Sequence, residues 1–101
     1  MKGMVNMNNM TCKELMEMVK KGYNVKSVKD LWLVGITLVK EYETFGIGKI
    51  ILKFGHGPEM VVGTFLESDY KKMDTLYRRY AKCLGTTHEM ELREMVIDHR
   101  E

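Results

Sequence analysis

Five cations dominate one stretch of this 101-residue chain: Lys71, Lys72, Arg78, Arg79 and Lys82 all fall between residues 69 and 84. Side chains of this type neutralise phosphates or pair with carboxylates, with arginine offering a planar two-pronged donor and lysine a point charge. A charge run on a helix is first of all a solvated face, and acids at Glu67, Asp69 and Asp74 dilute it. Three further methionines follow Met1 in the first ten residues, at Met4, Met7 and Met10. Their flexible, polarizable side chains suit adaptable contact with another protein.

Other reactive side chains do not assemble into a reaction. His56 and Glu59 sit beside each other around a candidate hairpin and can exchange protons with a substrate held there, but an exposed-loop role is the simpler expectation. His56, His88 and His99, with Glu59 or Glu89, show no short ligand spacing, so no metal site is expected. Cys12 and Cys83 are too few and too far apart for a cysteine-ligated zinc or a disulfide framework, and two reduced thiols are expected. Gly46, Gly48, Gly55 and Gly57 lack both the terminal Lys-Ser/Thr of a phosphate loop and a dinucleotide fingerprint. They are expected to form turns, and no cofactor is expected.

The elements that must position these residues follow from period and capping. Residues 1–9 read as a flexible arm and residues 10–101 as one domain, which suits a chain able to bury one modest core. Thr11 and Glu14 have capping-box spacing, with Met10 and Leu15 at the positions of a hydrophobic staple, and predict a helix at about 12–21. Residues 33–43, 49–54 and 60–66 read as three strands of an antiparallel meander. Its second face, marked by Ile51 and Val61 or Val62, needs a cover.

Tyr70, Met73, Tyr77, Tyr80 and Leu84 recur at helical spacing and predict an amphipathic helix over 69–84, begun by Ser68 and ended by Gly85. Thr86 and Glu89 suggest another capping box, and Leu92, Met95 and Val96 an apolar stripe, favouring a last helix at 87–97. An edge strand beginning near Met90 and Leu92 is the competing reading. The expectation is therefore an α+β fold: a small three-stranded antiparallel meander packed by two or three helices, in the order α-β-β-β-α-α.

No apolar run is long enough to span a bilayer, and Met1-Lys2 is not followed by a secretory pattern, so no membrane association and cytoplasmic residence are expected. Net charge is only +2, which does not by itself select nucleic acid. The distribution is more informative, since residues 85–101 carry two arginines against five acids. The favoured expectation is a noncatalytic regulatory or inhibitory protein acting through protein binding, with homo-oligomerisation as a route to cover a sheet edge. The alternative is a nucleic-acid-binding module in which the basic helix tracks phosphates and one of Tyr70, Tyr77 or Tyr80 stacks on a base.

Overall fold

The computed structural model describes residues 10–22, 35–54, 59–85 and 92–100. The arm at 1–9, with Met4 and Met7, lies outside them, as do Trp32, His56 and His88. Helix α1 spans Cys12–Gly22, strand β1 Ile36–Tyr42, β2 Ile47–Phe54 and β3 Glu59–Leu66. A 3-10 turn at Glu67–Asp69 leads into helix α2, Tyr70–Gly85, and strand β4 is Leu92–Asp98. The order among the described residues is therefore α-β-β-β-α-β.

Helix α1 starts where the capping box places it. The Thr11 N–H donates to Glu14 Oε1 at 2.9 Å, and the Glu14 N–H returns a bond to Thr11 Oγ1 at 3.1 Å. Two amides that the first helical turn leaves unpaired are thereby satisfied. Helix α2 is entered through the 3-10 turn, whose preceding residue Leu66 supplies no side-chain cap, so Ser68 lies inside a turn rather than at a helix cap.

The sheet has four strands in the order β3-β2-β1-β4. The meander is present: β1 pairs antiparallel with β2, and β2 with β3. The fourth strand corrects the expectation of a three-stranded sheet and of a last helix at 87–97. β4 runs parallel to β1, with Ile36 opposite Leu92 and Tyr42 opposite Asp98. Leu92, Met95 and Val96 fit a helical stripe in sequence, but β4 is an edge strand with Arg93 to Val96 exposed, and no buried face imposes an alternating pattern on it.

One face of the sheet carries the core. Ile36, Leu38 and Tyr42 from β1, with Ile50, Leu52 and Phe54 from β2, alternate toward Leu15 and Val19 of α1 and Met73, Tyr77, Tyr80 and Leu84 of α2. A bulge between Ile50 and Ile51 sets Ile50 opposite Gly63 and Ile51 opposite Val61. The extra residue lets Val62 and Gly63 be buried consecutively, so Val62 joins the helix-covered core rather than the second face. On that second face Ile51 is buried while Val61 is half exposed.

Two glycines are demanded by the hairpin between β1 and β2. Gly46 adopts φ 76°, a left-handed conformation that L side chains rarely take, and turns the chain behind Phe45. Gly48 lies against α2, where an added Cβ would come within 2.9 Å of Tyr70 Cε1 and collide with the Met73 sulfur. Among the described residues, no helix is long and apolar enough to cross a membrane.

Candidate functional site

The start of α1, the end of β3 and one flank of α2 enclose an open groove of about 600 Å³. Its apolar wall comes from Met10, Cys12, Phe65 and Leu76, and its polar rim from Thr11, Lys71, Lys72, Thr75 and Arg79. The helical period explains the rim. Residues 72, 76 and 79 fall on the side of α2 next to its buried stripe, while 71 and 75 stand one step outward. The long cations are exposed at the lip. The Thr75 hydroxyl is engaged within its own helix, donating to Lys71 O at 3.0 Å.

Polar contacts hold the two helical walls in register. The Tyr80 hydroxyl donates to the Met10 carbonyl at 2.6 Å, and the Cys12 thiol reaches the Arg79 carbonyl at 3.6 Å. Burial pushes the Tyr80 hydroxyl up to about 12, partly offset by its bond to Met10. Cys83, one turn beyond Arg79, is likewise pushed up to about 12 by burial and by its hydrogen bond with Cys12. Cys12 and Cys83 are not joined in a disulfide, and the contact between their thiols links the two helices. Lys72 also pairs at 3.8 Å with Asp69, an exposed contact too weak to immobilise it.

On the opposite flank of α2, Asp74 accepts from Lys40 Nζ at 2.7 Å and from the Tyr42 hydroxyl at 2.9 Å. The Lys40 bond, set against the cost of burial, holds the Asp74 carboxyl below the usual carboxylate range, with the Tyr42 bond and the Lys40 and Arg78 charges adding to the effect. Burial disfavours the Lys40 charge, but the Asp74 bond and the neighbouring Tyr42 outweigh it and raise the ammonium above its usual value. This network fastens the helix to the sheet. It also accounts for Arg78, whose charge acts on Asp74 from that flank.

The predicted cations thus divide. Lys71, Lys72 and Arg79 line one groove together with Met10, whereas Arg78 and Lys82 are exposed and are not among the groove's lining residues. Of the three tyrosines proposed for base stacking, Tyr77 and Tyr80 are committed to the core, whereas Tyr70 is partly buried with its ring against Tyr42 and Arg100. Tyr77 is 5% exposed and donates to Leu38 O at 2.9 Å, and Tyr80 is fully buried. Phe65, Leu76, Thr11 and Cys12 were not foreseen as site residues. The helical spacing from Lys72 to Leu76 carries a signal for Leu76, but Phe65 reaches the groove only through the tertiary fold. Glu59 pairs with Lys53 at 3.7 Å, and His99 lies 2.9 Å from Glu41 rather than near Glu59.

Comparisons of this chain with models of known protein families, with curated proteins and with solved structures found no match.

Proposed function

We propose that this chain is a noncatalytic regulatory or inhibitory protein that acts by binding another protein, and that its groove receives an acidic segment carrying an apolar anchor. The observation that carries this reading is the joining of Lys71, Lys72 and Arg79 to an apolar wall of Met10, Cys12, Phe65 and Leu76 in one concavity. Cations at a lip steer and orient an anionic partner, while an apolar pocket supplies area that salt does not screen. A side chain such as leucine or phenylalanine fits the wall, and flanking aspartates or glutamates meet the rim.

Burial of Tyr77 and Tyr80 leaves the nucleic-acid reading only the partly buried Tyr70, whose ring already packs on Tyr42 and Arg100, to stack on a base. A binding site built of phosphates alone also makes no use of Phe65 and Leu76. The experiment is a selection of random peptides on the immobilised folded protein, followed by fluorescence anisotropy of the selected peptides and of single- and double-stranded DNA and RNA across a salt series. Acidic peptides with an apolar anchor, retaining measurable affinity at moderate salt, are the expected ligands. Tight nucleic-acid binding with a steep salt dependence, and no peptide binding, would overturn the proposal.

A further inference from the structure

Glu41, Glu43 and His99 meet on the sheet face opposite the helices, away from the groove. Lys40 and Tyr42 reach Asp74 of α2, so the alternating strand turns Glu41 outward, and Glu43 follows on the same side. Two carboxylates two residues apart on a strand can hold one ion between them. The third group arrives from β4. Glu41 lies opposite Ile97 in the parallel pairing, and the His99 N–H donates to the Tyr42 carbonyl at 2.8 Å, extending the ladder one step and setting the imidazole on the outer face.

The donor atoms of these three side chains all lie within 4.8 Å of one another, with His99 Nε2 already 2.9 Å from Glu41 Oε2. Zinc takes imidazole nitrogen and carboxylate oxygen at about 2.0 to 2.2 Å, so small rotations of partly exposed side chains close this set on one ion. We infer that Glu41, Glu43 and His99 form a binding site for one divalent transition-metal ion of the zinc type, with further coordination completed by water. A mixed imidazole and carboxylate set favours such ions over calcium or magnesium, which prefer oxygen alone.

Among the described residues, Lys49 is the cation that pairs with the cluster. Its Nζ lies 3.5 Å from Glu43 Oε2, and both side chains are about one-third exposed, so a divalent ion can displace it into solvent. The neighbouring Asp98 and Arg100 pair with each other at 2.7 Å. Binding of the ion would cross-link the end of β1 to the end of the edge strand β4.

The test is calorimetric titration of Zn²⁺ into the full chain and into Glu41→Gln, Glu43→Gln, His99→Ala and Lys49→Gln, with amide exchange of the unsubstituted protein followed with and without Zn²⁺. One ion per chain is expected, with affinity lowered at least about tenfold by each ligand substitution and equal or tighter in Lys49→Gln. Slower exchange is expected in β4. Absence of stoichiometric binding would overturn the inference. So would an affinity that none of the three ligand substitutions changes, or Zn²⁺-dependent protection confined to elements other than β1 and β4.

Discussion

The Tyr80 hydroxyl and the Met10 carbonyl, 2.6 Å apart, join the chain two residues before α1 to the second half of α2 across seventy positions of sequence. The bond fixes the distance between two walls of the groove. Tyr80 is fully buried, so its ring belongs to the core and its oxygen to the site. Tyr80→Phe keeps the ring and removes the bond, leaving a part-buried carbonyl without that donor. A loss of about 1 to 2 kcal/mol is expected in denaturant unfolding, together with weaker peptide binding despite an unchanged rim charge. Unaltered stability would show that the bond does not hold the wall.

The division of the cations gives a second prediction. Lys72→Ala and Arg79→Ala should each weaken peptide binding by about fivefold to tenfold and flatten its salt dependence, whereas Arg78→Ala and Lys82→Ala should leave affinity within about twofold. Leu76→Ala should weaken binding without changing the salt slope, because it removes wall area rather than charge. Anisotropy titrations of all five variants against one selected peptide check this pattern. Equal losses across the five would mean that the whole basic face, rather than the groove, makes the contact.

Much of this arrangement is legible in the residues themselves, and the reasons differ by element. Thr11 with Glu14, and the spacing of Tyr70, Met73, Tyr77, Tyr80 and Leu84, are local signals, and local hydrogen bonds and one buried stripe realise them. β4 is different. It is defined by pairing with β1, more than fifty residues earlier, and exposed edge residues bear little imprint of that pairing. The cluster of Glu41, Glu43 and His99 depends on the same β1–β4 register and so has no local sequence signal. The cations of the groove were legible as a group, but their separation into rim and flank followed from Phe65 and Cys12 arriving at one side of α2.

The Lys40 and Asp74 pair makes stability depend on pH at both ends. Asp74 has a depressed folded-state pKa, so its contribution is present above the ordinary carboxylate value and is lost as pH falls through the folded value. Lys40 has a raised one, so its contribution is present below the ordinary lysine value and is lost as pH rises through the folded value. Because the Asp74 side chain is 38% exposed and solvent screens the pair, Asp74→Asn should cost no more than about 1 kcal/mol near neutrality and reduce the acid sensitivity of unfolding. Urea midpoints from pH 7 down to pH 2 measure it. Parallel curves for the two proteins would contradict the assignment.

Gly48 offers a test of how closely the hairpin and helix pack. In Gly48→Ala the new methyl meets the fully buried Met73 and the Tyr70 ring, which cannot both retreat without opening the core. A destabilisation of about 1 to 3 kcal/mol is expected from overpacking, read as a lowered denaturant midpoint. A neutral substitution would show that the strand and α2 separate readily.

The groove as a receptor for an acidic, apolar-anchored segment is tested most directly by amide chemical-shift mapping of the full chain with a selected acidic peptide. The account predicts saturable shifts concentrated at residues 10–12, Phe65 and 71–79, and their disappearance in the double variant Lys72→Glu, Arg79→Glu. Saturable shifts centred instead on β3 and β4, or a map unchanged by the double variant, would contradict it.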